Sequence, residues 1–480
     1  MLHTTSQESS WAEFNFGKVY LGDIRRTSRL VELADIMSKK PGSSLAKLGK
    51  NWYATKANYN LLKSGHMKPD IIQCNHRIIV EEAINSAKND VYLIEDASEL
   101  SWSGKEPIDG LGPVGSGNST DQGFIIQSVL AVEETIEKAN SGRIHNTARP
   151  PVRILGLLDQ QYYTRPPKLE KTRRRRETDD PLETDLWRNT LSRIPKFNKD
   201  EKRIIRVCDR AADIYEVIRE TEESGLHYVI RARHNRVIAG ESEANSLCMF
   251  DHDELQHSKT KLQVMLRGRD GNPTQDVTLS INWTRTTTKA PSRPGYKAGT
   301  LPPLNYTVVR VWSDNLIGSD QDQIEWFLIT NLPIDDELDA CNIVKIYCTR
   351  WLIEDFHKAL KTGMNVEDLQ LETSNALMAA TAMMSVVALR LIDLRERVRI
   401  MPDAPAKESG LNELELKVLS AYLKRDLKTV RCVALAVGRL GGHLNRKQDG
   451  MPGIITLWKG MSELLQMVKG AQLVMELQFS

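Results

Sequence analysis

Three acidic residues of this sequence lie at positions from which they could bind metal ions. Asp96 follows the apolar run Val91–Ile94, and Asp209 follows the run Ile204–Val207, so both aspartates are expected at carboxyl ends of buried strands. Glu354 lies in a segment with helical periodicity. Together they could hold two divalent ions about 4 Å apart, which would activate a nucleophile and stabilise a leaving oxygen in phosphodiester transfer. Three carboxylates among 63 acidic residues are weak evidence by themselves.

The segment 345–363, which contains Glu354, has two distinct faces if it forms one continuous helix with about 100° per residue. One sector of roughly 80° holds Tyr347, Arg350, Glu354, Lys358 and Lys361. The opposite side holds Leu352, Ile353, Phe356, Ala359 and Leu360. A carboxylate among cations suits a metal ligand beside phosphate-binding groups. An ordinary amphipathic helix with a solvated charged face has the same pattern, and spacing alone favours that second interpretation.

The composition predicts a globular protein with more than one domain. The chain has 480 residues, which exceeds the usual size of a single core, so two or three domains are expected. Hydrophobic residues make up 40% and charged residues 27% of the chain, which excludes a disordered protein. The net charge of +2 does not indicate a partner.

Several features predict a cytoplasmic protein that does not enter a membrane. The six cysteines form no Cys-x-x-Cys pair, which indicates reduced thiols and no zinc site. The N-terminus has no basic stretch followed by an apolar stretch, so no secretory signal is expected. The most apolar run, Ala376–Leu389, is too short to span a bilayer and predicts a buried core helix.

Residues 1–70 have helical periodicity and a local excess of basic residues. Arg25, Arg26 and Arg29 share one side of a helix that begins near Asp23. An arginine cluster near a helix start could contact DNA phosphates or groove edges. It could equally serve solubility, and the cluster alone does not distinguish the two.

Residues 71–400 are predicted to form an α/β domain with a mixed sheet. Its first three strands are expected at 91–101, 124–132 and 153–158. From about 226 to 333, β-branched alternating segments separated by turns predict a β-rich insertion. The run Lys168–Asp180, with four consecutive arginines, is expected to be an exposed loop that is a solvated linker or touches DNA.

Residues 401–480 are predicted to form a helical C-terminal domain. A Pro/Ser/Gly-containing linker at 402–410 separates it from the rest of the chain. Its last helix carries a broad apolar stripe, which could pack within the chain or bind a second copy of it.

The segment around Glu354 also matches a known motif. The YREK spacing of bacterial cut-and-paste DDE transposases matches Tyr347-x-x-Arg350-x-x-x-Glu354-x-x-x-x-x-x-Lys361. Over nearly its whole length the chain resembles the Tn-five-like transposases of the insertion-sequence-four group. The matching segments, in the same order, are LGDIRRTSRL (21–30), LIEDASELS (93–101), VCDRAADI (207–214), VIRARH (229–234), RWLIEDFHKALKTG (350–363) and GRLGG (438–442).

The resemblance implies a ribonuclease-H-like mixed sheet with the β-rich insertion, flanked by helical N-terminal and C-terminal domains. It places Asp96, Asp209 and Glu354 in the metal-binding and catalytic triad. The DNA-binding positions that it implies are Tyr347, Arg350, Lys358, Lys361, Arg210, Arg231, Trp326, Arg25, Arg26 and Arg29. Trp326 has the family's spacing for a tryptophan that stacks on a flipped base, although a core tryptophan in a strand fits the same position.

The resemblance also implies a reaction and its partners. Two Mg²⁺ ions per active site are expected, with Mn²⁺ able to substitute. The protein would bind the terminal inverted repeats of its element, pair two ends in a homodimer and cut them through a DNA hairpin. The 3′-OH ends would then be joined to target DNA. It would act in the bacterial cytoplasm and be nucleoid-associated when bound to DNA.

One position departs from the family pattern. The family usually has Asp-Arg-Glu-Ala-Asp after the second catalytic strand, whereas this chain has Ala211 in place of the glutamate. The departure leaves the triad intact. It supports an alternative function as a catalytically weak regulator or inhibitor that occupies the transposon ends.

Overall fold

The computed structural model describes residues 10–102, 106–115, 120–135, 149–166, 182–197, 202–239, 247–266, 275–291, 301–313, 323–446 and 449–479. The arginine-rich run Lys168–Asp180 lies outside the described residues.

A single mixed sheet of ten strands forms the centre of the described structure. The strands are β1 (Val91–Ser101), β2 (Gly112–Pro113), β3 (Gln122–Glu134), β4 (Val152–Tyr163), β5 (Ile204–Cys208), β6 (His227–Arg231), β7 (Thr260–Leu266), β8 (Gln275–Thr288), β9 (Leu304–Ser313) and β10 (Glu325–Thr330). Strands β4, β3 and β1 pair antiparallel, and β5 and β6 continue the sheet parallel to β1. This order is the ribonuclease-H-like arrangement, so the predicted fold class is confirmed.

The β-rich segment predicted at about 226–333 does not form a sheet of its own. Its first strand, β6, belongs to the central parallel part of the sheet. Strand β10 pairs antiparallel with β6, and β9, β8 and β7 follow as antiparallel neighbours. The inserted hairpins therefore lengthen the central sheet beyond β6.

Helices cover the sheet and form both ends of the described chain. At the N-terminal end they are α1 (Trp11–Phe16), α2 (Ile24–Lys39), α3 (Leu45–Leu48), α4 (Trp52–Leu62) and α5 (Pro69–Asn85). Between the strands lie α6 (Asp185–Arg193) and α7 (Tyr215–Glu223). After the sheet come α8 (Glu337–Cys348), α9 (Trp351–Lys358), α10 (Ser374–Ile400), α11 (Glu413–Leu423), α12 (Val430–Leu440) and α13 (Ile454–Phe479).

Helix α10 is the central core helix. In the described chain it is the one helix whose length and apolar composition would allow it to cross a membrane, but 89% of its most apolar window is buried inside the protein. Such burial is typical of a core helix. Helix α10 packs against α5, α2 and β4, which joins the N-terminal helices to the sheet.

The single continuous helix predicted for 345–363 is wrong, because the structure divides it. Helix α8 ends at Cys348, where the hydroxyl of Thr349 donates to the Ile346 carbonyl at 2.6 Å, and α9 starts at Trp351. After α9, residues Ala359–Gly363 form a π-helical turn, in which the Met364 amide donates to the Ala359 carbonyl at 2.8 Å. Tyr347 and Lys361 therefore lie on different structural elements from Glu354.

Gly156 of β4 tests how tightly α5 packs on the sheet. Its φ of +145° is unfavourable for residues with a side chain, and an added Cβ would collide with Val80 and His76 of α5. We expect Gly156→Ala to lower the free energy of unfolding by about 2–4 kcal/mol, measured by urea denaturation. Gly65→Ala, at a position open to solvent, is the control and should change it by less than about 0.5 kcal/mol. Equal effects of the two substitutions would contradict this packing.

Candidate active site

The parallel register of β1 and β5 brings Asp96 and Asp209 together. Glu95 of β1 pairs with Cys208 of β5. The residues that follow them, Asp96 and Asp209, therefore lie next to each other on the other face of the sheet. Asp209 also caps the short 3₁₀ helix Arg210–Ala212, because its carboxylate accepts the Ala211 amide at 2.8 Å. Local capping therefore fixes the second aspartate.

Arg350 connects Asp96 to the helical acid Glu354. One guanidinium nitrogen, Nη1, lies 3.2 Å from Oδ2 of Asp96, and the other, Nη2, lies 2.5 Å from Oε1 of Glu354. Glu354 belongs to α9, which packs on β1 through the apolar side that carries Leu352, Ile353 and Phe356. The side chain of Glu354 remains 52% exposed, so it faces outward from the sheet while staying attached to it through Arg350.

The environment of Asp96 disfavours its charged form. Burial raises the pKa of Asp96 to about 7, and the negative charges of Asp209 and Glu354 act in the same direction. Arg350 and the Ala97 amide lower this pKa but do not compensate fully. The positive charge near Asp96 is therefore too small to offset its burial and the two neighbouring carboxylates.

A layer of aromatic and cationic side chains adjoins the acids. The Trp326 ring makes an edge contact with the Tyr347 ring at 5.4 Å, and the Arg231 guanidinium lies 6.0 Å from the Trp326 ring centre. Burial lowers the pKa of Arg231, which also interacts with Tyr347, Arg210 and Arg350. The structure therefore brings these sequence-predicted residues around the acids, although Tyr347 and Trp326 are only 4% and 7% exposed.

The two lysines of the motif differ in their surroundings. Lys358 is exposed at the end of α9, whereas Lys361 is partly buried on the π-helical turn. Lys361 and Arg350 both lie close enough to His357 to help lower the pKa of this buried histidine to about 3, after burial itself. A neutral His357 adds no charge to the site.

The arginines of the N-terminal domain lie on α2, far in sequence from the three acids. Arg25 is 88% exposed and pairs with Asp23, the cap of α2. Arg26 donates to the Leu21 carbonyl, and Arg29 pairs with Glu32. Arg25 is therefore the member of the cluster most accessible to a partner.

Exposed aromatic residues of the same domain were not identified from the sequence. Trp52 and Tyr53 at the start of α4 are 65% and 78% exposed, and the Lys56 ammonium lies 4.9 Å from the Trp52 ring centre. An aromatic pair directly after the helix cap Asn51 is the signal that could have indicated them.

Two family models match separate parts of this chain. Residues 8–67 match the model described as transposase DNA-binding, and residues 176–390 match the transposase DDE domain. These two segments are therefore similar to the DNA-binding and DDE domains of transposases. The DDE match contains Asp209 and Glu354, and Asp96 lies before it.

Among solved structures, a cryo-EM structure of a piggyBac transposase synaptic complex with hairpin DNA aligns with 94% of this chain and 81% of that chain, at 10% identity and a TM-score of 0.35.

The DDE domain implies a divalent metal cofactor. Among the described residues, no three His, Cys, Asp or Glu side chains converge closely enough to enclose one ion. By donor type and charge, however, Asp96, Asp209 and Glu354 fit a hard cation such as Mg²⁺, because all three offer carboxylate oxygens. The Arg350 guanidinium between two of them shows that this position attracts positive charge.

The raised pKa of Asp96 predicts how the metal-free protein responds to pH. Between the pKa of an ordinary aspartate and about 7, the folded protein keeps a proton that the unfolded chain has lost, so stability falls as the pH rises through this range. We expect the stability advantage of Asp96→Asn over the wild type to grow by about 2–4 kcal/mol from about pH 4 to about pH 8. Urea denaturation with a chelator present measures it.

The matched control is Asp403→Asn, at an exposed aspartate far from the acids, which should show no such growth. A constant difference between Asp96→Asn and wild type across this pH range would contradict the electrostatic account of the site.

Proposed function

We propose that this chain is a Tn-five-like transposase of the insertion-sequence-four group, which cuts the ends of its element and joins them to target DNA. The observation that carries the proposal is the placement of Asp96 and Asp209 side by side on neighbouring parallel strands, with Glu354 joined to them through Arg350. This is an arrangement of oxygen donors that suits two-metal phosphodiester chemistry.

In this proposal Asp96, Asp209 and Glu354 hold two Mg²⁺ ions, for which Mn²⁺ can substitute. When bound, these ions activate the attacking oxygen and stabilise the leaving oxygen. Water nicks the transposon end, and the freed 3′-OH attacks the opposite strand to form a hairpin and release the flanking DNA. A second water opens the hairpin, and the 3′-OH ends attack the target strands.

The chain's own cations position the DNA. Charge-assisted hydrogen bonds to phosphates suit Arg350, Lys358, Lys361, Arg210 and Arg231, and the Tyr347 hydroxyl adds a neutral donor. Arg350 has the central place, because it already binds two of the acids and can exchange a carboxylate for a phosphate as DNA arrives. A stacking role for Trp326 requires a face of this buried ring to open during hairpin formation.

We further propose three functional domains and a dimer. Residues 1–70 would bind the terminal repeats, 71–400 with the insertion at about 226–333 would cut and join DNA, and 401–480 would contribute to the homodimer that pairs two ends. The end of α13 supports the last assignment, since it exposes apolar side chains: Leu473, Val474, Met475 and Leu477. The protein would work in the bacterial cytoplasm, on the nucleoid.

A second candidate function is an end-binding regulator that cuts weakly or not at all. It is favoured by Ala211, which occupies the position of the usual family glutamate and lies exposed beside Asp209. The intact set of acids and the complete YREK motif favour the enzyme.

Glu354→Gln separates the two functions. We expect wild-type protein with Mg²⁺ to nick DNA that carries the inverted repeats flanking its gene. The variant should bind that DNA as well as wild type but cut it about a thousandfold more slowly or worse, because several kcal/mol of transition-state stabilisation is lost. Mobility shift and cleavage assays measure both properties.

Glu413→Gln, at an exposed position on α11, is the control and should cut normally. Wild-type protein that binds the ends and leaves them uncut would favour the regulator instead.

Arg25→Ala tests the N-terminal domain. Loss of one phosphate contact should weaken binding to end DNA and lower the slope of log affinity against log salt by about 1, since fewer counterions are released. Fluorescence anisotropy over a salt series measures the slope. Lys417→Ala, an exposed cation on α11, should leave it unchanged. An unchanged slope for Arg25→Ala would remove this residue from the interface.

A further inference from the structure

A fully buried ion pair lies on the opposite face of the sheet from Asp96 and Asp209. Glu95 and Arg206 have side chains that are 0% and 1% exposed. Two parallel hydrogen bonds join them, from Nε to Oε1 at 2.6 Å and from Nη2 to Oε2 at 2.8 Å. Both residues lie within or directly after runs of apolar residues, where hydrophobic periodicity does not indicate which side chains pair. The pair was therefore not predicted from the sequence.

The pair belongs to the same two strands as the acids. Glu95 immediately precedes Asp96 on β1, and Arg206 lies on β5 shortly before Asp209. In the register of the two strands Arg206 pairs with Leu93, so its side chain reaches along the sheet face to Glu95. Because side chains alternate, this face is the reverse of the one that carries Asp96.

The remaining donors of Arg206 are directed to two helices. Nη1 donates to the Thr221 hydroxyl of α7 at 2.6 Å, and Nη2 donates to the Trp187 carbonyl of α6 at 3.3 Å. One guanidinium therefore connects β1, β5, α6 and α7 through directional bonds. Apolar contacts alone would hold these elements together with less constraint on their relative positions.

Stability does not require such a pair. An apolar pair of similar volume often replaces a buried ion pair without loss, because desolvation of both charges offsets their attraction. A bidentate arginine–carboxylate contact does impose a fixed geometry, however. Here that geometry sets the position of β1 relative to β5 at the end where the aspartates lie.

We propose that the Glu95–Arg206 pair is a positioning element that holds Asp96 and Asp209 at the separation needed to share divalent ions. This inference rests on the proposed function, in which those aspartates are metal ligands. Glu95 and Arg206 are buried on the other face of the sheet, so they act on the two aspartates through the backbones of β1 and β5.

The test replaces the pair while preserving the fold. The double variant Glu95→Met, Arg206→Met should unfold near the wild-type urea concentration and bind end DNA with wild-type affinity. Its half-saturating Mn²⁺ concentration should rise by about tenfold or more, since supporting residues of metal sites typically have effects of this size. Calorimetric titration of the full-length protein with Mn²⁺ measures the binding, and the rise in melting temperature with Mn²⁺ gives a second readout.

A matched control breaks another ion pair between the same two strand regions. Arg203 and Asp90 pair at 2.6 Å just before β5 and β1, at the end of the strands away from the acids. Arg203→Met should leave Mn²⁺ binding unchanged. Arg206→Lys, which keeps the charge without the bidentate contact, should give an intermediate loss and supports the same conclusion if the double variant does not fold.

Wild-type Mn²⁺ affinity in the folded double variant, or in Arg206→Lys if only that variant folds, would overturn the proposal. An equal loss in Arg203→Met would also overturn it, because any disturbance of the two strands would then suffice. Failure of the proposed function would give a different result from failure of this inference. In that case the wild-type protein would bind Mn²⁺ through Asp96 and Glu354 and still leave end DNA uncut.

Discussion

Because β5 pairs parallel with residues 91–95 of β1, a single register sets the positions of two catalytic candidates at once. The pairing of Glu95 with Cys208 brings Asp96 and Asp209 side by side, and alternation of side chains sends both to the face that α9 covers. A slip of one residue would turn one aspartate to the opposite face. The architecture around these strands, including the buried contact behind them, therefore serves a precise placement of charge.

Charge balance explains how the helical acid joins the strand acids. Burial and two neighbouring carboxylates raise the pKa of Asp96, so the site favours any cation that can enter. In the metal-free chain Arg350 partly fills this need from the start of α9 and attaches Glu354 to Asp96. The same guanidinium suits a phosphate oxygen. Under the proposed function, metal ions, DNA phosphates and Arg350 would therefore interact with the same few charged groups.

The sequence was informative where structure depends on local patterns. The apolar runs before Asp96 and Asp209 predict two strands of the sheet, and the resemblance to a ribonuclease-H-like fold predicts the order of the strands. Asp96 was expected at the carboxyl end of its strand, but it lies in the middle of β1, because β1 continues to Ser101 in its pairing with β3. Helical periodicity failed at 345–363, because the break near Thr349 and the π-helical turn depend on hydrogen bonds that a helical projection does not contain. For Trp326 the sequence left a buried core position and a stacking role open, and the structure buries the ring against Tyr347 and Trp351. The functional roles of these residues stay predictions.

The π-helical turn at Ala359–Gly363 has a consequence for comparing related chains. A wider turn accommodates an additional residue and rotates everything that follows it relative to a regular α-helix. The interval from Glu354 to Lys361 is therefore a count along the chain and does not define an angle around an axis. A relative with one residue fewer in this interval could present its lysine in the same direction from a regular helix. Alignment of such chains by motif spacing alone would mismatch equivalent side chains.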